Sequence, residues 1–393
     1  EQNPIGETST DNIVSSALLS PIGSPRLKDI VMPDEKIAIL TSDITRPMPT
    51  SEVIPHVLDE LYIAGVHKED VTLVFATGSH RSHTEDERRK LAGDRAFEEI
   101  KCVDSDPEDC IHLGFTKNGT PVDITRVVAE ADRCICLGNI EFHYFAGYSG
   151  GVKALFPGAS TPKAIQTNHS MMIDEKACTG NLDGNPVRDD LEEVLKYYKV
   201  DFIVNVVLDE HKRIIHAVAG DVIEAHREGC KFLDKLYKVE IPEKADLVIV
   251  SQGGAPKDLN LYQTQKALDN SKHAVKPGGK IILLGSCKEG LGQSVFEEWI
   301  LSAKRPRDLI DRVKSNFRLG GHKAAAIAMV LERAEIKLIS DLSPELVKSI
   351  FMTPYESLQI AVDEALAELR EEGIDNPSII VMPYGGSTLP VIK

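Results

Sequence analysis

Long apolar runs, a paired cysteine framework and a basic face are all missing from this 393-residue chain. No run of about 18 apolar residues is present, so we expect no membrane-spanning helix. The first twenty residues contain neither a basic segment nor a long apolar one, and we therefore expect no signal peptide. The seven cysteines are scattered, which favours a reducing cytoplasm over a disulfide-linked secreted protein.

Positive charge is also in short supply, because the formal net charge is -16. A nucleic-acid partner or an anionic membrane surface requires a basic face that neutralises phosphates, so we expect neither. The acidity does not exclude an anionic substrate, since a buried pocket can be locally positive on an acidic protein.

Hydrophobic residues make up 42% of the chain and charged residues 27%, which is ordinary globular composition. Short β-branched runs alternate with helical patterns, and this alternation predicts an α/β fold with mostly parallel sheets. We expect two α/β domains, residues 1–240 and 245–372, with an active-site cleft between them; segment 376–393 can pack back on the first domain. The predicted strands cover residues 36–40, 71–77, 133–138, 202–208, 246–251, 280–286 and 336–340.

Polar loops directly follow the first two predicted strands. In "TSDITRPMPT", Arg46 presents a planar fork suited to a carboxylate or phosphate, and Asp43 can orient it. In "ATGSHRSHTEDE", His80 follows a tight Gly-Ser turn, a position typical of a general base. Taken singly, each loop has an ordinary explanation. Asp43 or Thr45 can cap a helix with Arg46 in a surface ion pair, and His80 can be a turn histidine bonded to backbone.

The stretch "FHYFAGYSGGVKALFPG", residues 142–158, fits neither the period of a strand nor that of a helix. Its turn Ser149-Gly150-Gly151 can bring backbone N–H groups close to an anion such as a phosphate. The spacing matches neither a P-loop nor a dinucleotide-binding turn. Lys153 follows directly, ten residues after His143, and suits a phosphate ligand, a covalent nucleophile or an ordinary surface lysine.

Two later segments carry further candidate side chains. His169 in "TNHSMMID" offers an imidazole, but no HxH, HExxH or Cys/His cluster accompanies it, so a metal here must take most of its ligands from elsewhere. In "GGAPKDLNLYQTQKAL", Tyr262 and Lys266 share a helix face and Gln263 lies beside them. If this face lines a cleft, Gln263 and Lys266 can bind a carboxylate; a solvated helix face is the ordinary alternative.

Together these loops resemble the nickel-dependent lactate racemase family. Five irregular loops agree with the family in order and spacing across residues 36–275, so the joint match is specific although each loop alone is weak. "LGGHKAAA" at 319–326 also resembles the family's second domain. One departure is Gly-Ser-His where the family has Gly-Thr-His, a change that preserves the hydroxyl. The matching loops are "DITRP", "GSHRSHT", "EFHYFAGYSGGVKALFPG", "NHS" and "GGAPKDLNLYQTQKAL".

The resemblance implies nickel held in a pincer nucleotide, pyridinium-3-thioamide-5-thiocarboxylate mononucleotide, joined covalently to Lys153. It implies His169 as the one protein ligand to nickel, with His80 and His143 as the paired acid/base residues. Contact of the Ser149-Gly150-Gly151 turn with the nucleotide phosphate is our inference from backbone chemistry. The implied cofactor-binding residues also include Asp43, Thr45 and Arg46, and the implied substrate-binding residues are Arg46, Tyr262, Gln263 and Lys266.

The implied activity is interconversion of D- and L-2-hydroxy acids, most simply lactate, through a 2-keto acid. Moving the α-hydrogen as hydride to a pyridinium carbon avoids a carbanion beside the carboxylate. The resemblance also implies cofactor-synthesis and nickel-insertion proteins as partners. Malate, larger 2-hydroxy acids and sugar acids stay open, because one pocket residue can switch the substrate. From the residues alone, an NAD-dependent oxidoreductase without nickel and a cleft-type binding protein for small carboxylates also stay open.

Overall fold

The computed structural model describes residues 9–78, 80–209 and 211–393. The first eight residues and Ser79, which we expect in the turn before His80, lie outside the described residues, so what we expect of them stays a prediction. The described chain divides into two compact units. The first unit contains the chain up to His169 together with residues 176–236, and the second contains residues 170–175 and 237–393.

The first unit is built around one large sheet. Its helices are α1 (Thr10–Leu19), α2 (Thr50–Ile63), α3 (Glu85–Ala92), α4 (Asp94–Glu99), α5 (Arg126–Ala129), α6 (Pro162–Ser170), α7 (Pro186–Glu193) and α8 (Glu224–Tyr237). Its strands are β1 (Ile37–Ser42), β2 (Val71–Ala76), β3 (Lys101–Asp104), β4 (Cys110–Phe115), β5 (Pro121–Thr125), β6 (Arg133–Asn139), β7 (Phe142–His143), β8 (Gly147–Tyr148), β9 (Phe202–Leu208) and β10 (Ile214–Gly220).

Six of these strands form the sheet in the order β10-β9-β6-β1-β2-β3. Every neighbouring pair is parallel except β9 and β10, while β4–β5 and β7–β8 are small antiparallel pairs. The central strands β1 and β6 bury nearly every residue, as parallel strands covered on both faces do. Helix α2 covers one face with apolar side chains at helical spacing. These buried side chains are Val53, Ile54, Val57, Leu58 and Leu61.

The local patterns predict much of this unit correctly. The four strands predicted here correspond to β1, β2, β6 and β9. Helix α3 begins after Thr84, whose hydroxyl accepts the Glu87 N–H at 3.2 Å, while the Glu87 carboxylate accepts the Thr84 N–H at 2.9 Å. This reciprocal pair is the capping box that the Thr84–Glu87 spacing predicts.

The second unit contains a five-stranded sheet in which all neighbours are parallel. The strands of the whole unit are β11 (Lys238–Ile241), β12 (Ala245–Ser251), β13 (Val275–Leu284), β14 (Glu335–Ile339), β15 (Thr353–Tyr355), β16 (Ile379–Met382) and β17 (Leu389–Ile392). Its helices are α9 (Leu261–Ser271), α10 (Ser294–Ser302), α11 (Pro306–Ser315), α12 (Gly321–Leu331), α13 (Pro344–Ser349) and α14 (Leu358–Glu371). The sheet order is β15-β14-β13-β12-β16, and β11 pairs with β17 apart from it. The expected fold class, α/β with mostly parallel sheets in two domains, is confirmed.

The end of the chain differs from our expectation that segment 376–393 can pack back on the first domain. It lies entirely in the second unit, because β16 extends the sheet beside β12 and β17 pairs with β11. The Asp246 carboxylate holds this arrangement by accepting the N–H and the hydroxyl of Ser378 at 2.8 and 2.7 Å. Residues 170–175 also belong to this unit, where the turn Met171–Ile173 packs against α11 and α12.

Within the described residues, no helix has the length and apolar character needed to cross a bilayer. All seven cysteines are free thiols, and Cys134 and Cys136 lie buried on β6. Burial raises the pKa of the Cys134 thiol well above its usual value, with Cys136 adding to the effect. A protonated, buried thiol is a poor metal ligand, which supports a packing role for Cys134.

Candidate active site

The loops singled out in the first half of the chain meet at one edge of the large sheet. Strand β1 lies between β2 and β6, and all three run parallel. Their carboxyl ends are therefore side by side, which is where ligands bind in open α/β sheets. The loop after β1 carries Asp43, the loop after β2 carries His80, and the loop after β6 carries His143.

Asp43 and His80 form a hydrogen-bonded pair across two of these loops. His80 Nδ1 contacts Asp43 Oδ2, and the Thr45 hydroxyl donates to Asp43 Oδ1 at 2.7 Å. Burial of Asp43 alone would raise its pKa, but the bonds from His80 and Thr45 and the charges of His80 and Arg46 outweigh it and lower the pKa. The carboxylate thus fixes the proton of a neutral His80 ring on Nδ1 and leaves the lone pair on Nε2.

His83, which the sequence marks less clearly than His80, anchors the first loop. It is buried, and its Nε2 accepts the Ile44 N–H at 3.1 Å while Nδ1 lies 2.6 Å from Asp104 Oδ1. Because Nε2 accepts, the proton of a neutral ring lies on Nδ1 and is donated to Asp104. His83 therefore fixes the path of the backbone beside Asp43, and both of its ring nitrogens have protein partners.

In His143 the proton of the neutral ring lies on the other nitrogen than in His80. It ends the first strand of the β7–β8 hairpin, and its Nδ1 accepts the Ala146 N–H at 3.2 Å. A backbone N–H can only donate, so the proton of the neutral ring is on Nε2. Burial lowers the pKa of His143 well below the usual histidine value, and the positive charges of Lys153 and Arg46 add to the effect. His143 is therefore neutral at neutral pH.

Phe145 connects three of the predicted functional side chains. Its ring lies edge-on to His143 at a centroid distance of 4.5 Å and edge-on to His169 at 4.9 Å. Lys153 Nζ lies 6.0 Å from the centroid of the same ring. This buried aromatic side chain brings together groups that are up to 26 positions apart, and no sequence pattern marked it for that role.

Lys153 lies on a short 3₁₀ turn after the glycine-rich loop. Desolvation of its amine lowers the pKa of Lys153 well below the ordinary lysine value, and the guanidinium groups of Arg188 and Arg46 lower it further. A lower pKa increases the neutral, nucleophilic fraction of the amine at neutral pH. An ordinary surface lysine does not have this environment.

Arg188 is a buried cation that the sequence did not mark. It lies on α7 and donates through Nε to Ala146 O at 3.2 Å and through Nη2 to Tyr148 O. Its Nη1 is buried and makes no hydrogen bond among the described residues, but it lies 3.8 Å from Glu192 Oε1. Burial lowers the pKa of Arg188 to about 10, although the Glu192 charge opposes the shift. The arginine therefore supports the hairpin backbone and adds positive charge beside Lys153.

The Ser149-Gly150-Gly151 turn differs from our expectation that its N–H groups are available to a phosphate. The Ser149 N–H donates to Glu141 O at 2.9 Å, and the Gly151 N–H donates to Asn205 Oδ1 at 2.7 Å. A Cβ on Gly150 would lie 2.7 Å from the same Asn205 oxygen, so the glycine makes room for protein. Two of the three N–H groups are thus satisfied within the first unit.

His169 lies in the last turn of α6 and is held by its neighbour in sequence. Its Nδ1 lies 2.9 Å from Asn168 Oδ1. Among the described residues, no group of three or more His, Cys, Asp or Glu side chains is arranged to hold a metal ion. A metal at His169 would therefore need most of its ligands from elsewhere than such a cluster, as the sequence also indicates.

The remaining predicted residues, Tyr262, Gln263 and Lys266, lie on α9 of the second unit. Gln263 is half-buried and Lys266 is exposed, while Lys323 Nζ lies 4.0 Å from the Tyr262 ring centroid and donates to Tyr262 O at 2.7 Å. Lys323 belongs to the "LGGHKAAA" segment, so these two family-like segments contact each other. The substrate-binding role expected of the α9 residues stays a prediction.

The second unit also contains a cavity of about 340 Å³ at the carboxyl ends of β12, β13 and β14. Asp258 Oδ2 accepts the Ser286 N–H at 3.0 Å, whereas its Oδ1 is buried without a partner among the described residues. None of the predicted site residues lines this cavity. Its lining residues are Ser251, Gly254, Asp258, Leu284, Gly285, Ser286, Ile339, Ser340, Asp341 and Glu356.

Comparison with known proteins agrees with the resemblance of the loops. The profile of the lactate racemase N-terminal domain matches residues 1–180, and that of the lactate racemase C-terminal domain matches residues 241–390. The lactate racemase of Thermoanaerobacterium thermosaccharolyticum is 34% identical over 392 residues, which cover 97% of this chain and 90% of that protein. The chain belongs to the lactate racemase family.

Further relatives extend the comparison. The lactate racemase of Lactiplantibacillus plantarum is 33% identical over 375 residues, covering 93% of this chain and 87% of that protein. The apoprotein structure of the Thermoanaerobacterium enzyme superposes with a TM-score of 0.87 at 34% identity, covering 98% of this chain and 93% of that one. A Thermotoga maritima protein shares the fold with a TM-score of 0.66 at 19% identity, covering both chains fully. The expected enzyme class, an isomerase of the racemase type, is confirmed by the family.

Proposed function

We propose that this chain interconverts D- and L-2-hydroxy acids, with lactate as substrate, using a nickel-pincer nucleotide tethered to Lys153. One observation carries the proposal: the Asp43–His80 pair, His143 and Lys153 follow the strands of a single sheet edge. The charge of Arg46 acts on Asp43, His143 and Lys153 alike, which indicates that these groups share one electrostatic environment. The names of two relatives at about a third identity support lactate as the substrate.

The side chains fit the proposed cofactor by the chemistry of their donor atoms. His169 offers one imidazole, and because the described residues supply no cluster of protein ligands, a metal there suits a cofactor that brings its own sulfur and carbon donors. The Lys153 amine, with its lowered pKa, suits a covalent acyl-type link. Lys153 and His169 would hold the group, and Arg188 and Arg46 would supply positive charge for its anionic part.

When bound, this cofactor supplies an electron-poor carbon that accepts the C2 hydrogen of the substrate as hydride and returns it. The protein must also remove the proton of the substrate hydroxyl and return it. His80 is suited to take that proton, because its Nδ1–H is fixed by Asp43 and its lone pair lies on Nε2. The Asp43 carboxylate also stabilises the imidazolium that forms.

His143 is suited to the opposite task. A neutral ring with its proton on Nε2 donates a hydrogen bond to the substrate oxygen as a carbonyl forms. The exposed Arg46 guanidinium matches the substrate carboxylate with two parallel N–H groups, which aligns C2 for transfer. We keep Tyr262, Gln263 and Lys266 as proposed substrate-binding residues on the second unit.

The test uses protein produced together with the proposed cofactor-synthesis and nickel-insertion proteins. Purified protein should interconvert D- and L-lactate, measured with an enantiomer-specific assay, and a panel with malate, larger 2-hydroxy acids and a sugar acid defines the substrate. No turnover of any member, with nickel and cofactor loading verified on the same sample, would contradict the proposal. Turnover that depends on added NAD and survives Lys153→Ala would favour an oxidoreductase.

A further inference from the structure

A series of hydrogen bonds runs from Thr116 through Asp190 and Asn168 to His169. Asp190, on α7, is fully buried, as is Asn168 at the end of α6. Asp190 Oδ1 accepts the Thr116 hydroxyl at 2.6 Å and the Asn118 side-chain amide at 3.2 Å. Asp190 Oδ2 accepts the Asn168 side-chain amide at 3.0 Å. A buried carboxylate needs such donors, since one left without hydrogen bonds is costly.

The chemistry of these partners fixes which way the Asn168 amide points. Its nitrogen lies 3.0 Å from Asp190 Oδ2 and 3.1 Å from Val187 O, and both of these atoms can only accept. The NH₂ group must therefore face them, and a flipped amide would set oxygen against two acceptors. The carbonyl Oδ1 is consequently directed the other way, toward His169 Nδ1 at 2.9 Å.

The orientation of Asn168 then determines the tautomer of His169. An amide oxygen can only accept, so the neutral imidazole keeps its proton on Nδ1 and its lone pair on Nε2. The edge-on Phe145 ring restrains the plane of the same imidazole. A histidine that ligates a metal ion through one nitrogen commonly donates the other N–H in this way, which raises its basicity and fixes its direction.

We propose that Asp190 is a positioning residue that, through Asn168, assigns Nε2 of His169 as the metal-binding nitrogen. This inference rests on the proposed nickel site for its functional meaning. Asp190 contacts neither His169 nor the reacting groups, and it acts only by fixing the amide of Asn168. The chain contains a matched control in Asp189, the preceding residue on α7, which takes no part in these hydrogen bonds.

The first readout needs no cofactor. Protein labelled with ¹⁵N-histidine is examined by long-range ¹H–¹⁵N NMR at about pH 8, above the ordinary histidine pKa of about 6.5. The His169 signals are assigned by their loss in His169→Gln. Wild-type and Asp189→Asn protein should show His169 protonated on Nδ1, and Asp190→Asn should show a mixture of tautomers. A wild-type His169 protonated on Nε2 would overturn the inference.

The second readout is retention of nickel. Loaded protein is challenged with EDTA, and the remaining nickel per chain is measured; Asp190→Asn should lower nickel affinity by about tenfold or more, in line with other residues that orient metal ligands. Thr116→Val, which removes one donor to Asp190 with little change of shape, should shift both readouts in the same direction by less.

The two readouts distinguish the failure of this inference from failure of the proposed function. Folded Asp190→Asn and Thr116→Val with unchanged tautomer and unchanged nickel retention would refute the role of Asp190. If Asp190→Asn does not fold, the role of Asp190 is tested by the wild-type tautomer of His169 and by comparing Thr116→Val with wild type. If wild-type protein takes up no nickel although Nδ1 is protonated, the proposed function fails while the positioning of His169 stands.

Discussion

The loops at the carboxyl ends of the parallel strands differ in chemical character between the two large sheets. At the carboxyl edge of the first sheet, His80 and His143 are accompanied by the Lys153 amine and by the guanidinium groups of Arg46 and Arg188. At the carboxyl edge of the second sheet, the described residues that line the cavity include three carboxylates and three serine hydroxyls but no basic side chain. Ligands in α/β proteins bind at the carboxyl ends of the strands, and both edges meet this rule. Sheet topology alone therefore does not tell which edge is the active site.

Charge and hydrogen bonding indicate that the active site lies at the edge of the first sheet. A 2-hydroxy acid and a nucleotide phosphate are anions, and they suit the first edge, whereas the second edge repels them. The first edge also contains two histidines whose partners fix opposite tautomers, which is what a reaction needs when it both takes and supplies hydrogen bonds at one oxygen. The strongly acidic net charge of the chain conceals this locally positive site.

The largest effect that the comparison predicts is at Lys153. Lys153→Ala should abolish the covalent adduct and with it all racemisation, because the proposed tether is lost. Intact mass and the lactate assay measure both. Lys163→Ala, which removes an exposed lysine from α6, is the control and should keep adduct and activity. Full activity of Lys153→Ala would contradict the placement of the active site at the carboxyl edge of the first sheet.

Loss of His143 should separate chemistry from anchorage. His143→Ala should keep the adduct and lower kcat for lactate by about 10²–10³-fold, the range for a lost hydrogen-bond donor at a reacting oxygen. The exposed His112, which pairs with Asp123, is the control, and His112→Ala should racemise lactate normally. A His143 variant that retains wild-type kcat would mean that the first edge does not perform the reaction.

Asp43→Asn should have a smaller effect, about 10²-fold on kcat, because His80 remains but its Nδ1–H loses the carboxylate. The pKa of Asp43 is lowered from 3.8 in the folded protein, so its stabilising contribution is fully present above about pH 4 and is lost as the pH falls through the lower folded value. Melting temperatures across this acid range should therefore fall less steeply for Asp43→Asn than for wild type. Identical slopes would argue against the ionised pair.

The smallest effect is predicted at the second edge. Asp341→Asn removes one exposed carboxylate from the cavity, and the adduct, nickel content and lactate kcat should stay within about twofold of wild type. These three quantities are measured on the same preparation as the other variants. A tenfold loss of activity with an intact fold would show that the acidic edge takes part in the reaction.

The sequence predicts the strands and the loops that follow them because both signals are local. Apolar β-branched runs mark β1, β2, β6 and β9, and the irregular loops after three of these carry the functional side chains. The family resemblance adds the order of the loops, which no single motif provides.

What the sequence does not predict depends on contacts between distant positions. The Gly151 N–H finds its acceptor in Asn205, 54 residues away, so the glycine-rich turn is satisfied by protein. Arg188 and Phe145 gain their roles only when α7 and the hairpin are folded together. The apolar run of β16 fits the edge of either sheet, and pairing with β12 decides its place.

The most direct test of the central claim is peptide mapping and nickel analysis of wild-type protein produced with the cofactor-synthesis and nickel-insertion proteins. The Thermoanaerobacterium relative, produced in the same host, verifies the pathway if it racemises lactate. We expect an adduct on Lys153 and about one nickel per chain, held with His169. An unmodified Lys153 and a nickel-free chain, beside an active relative, would contradict the account.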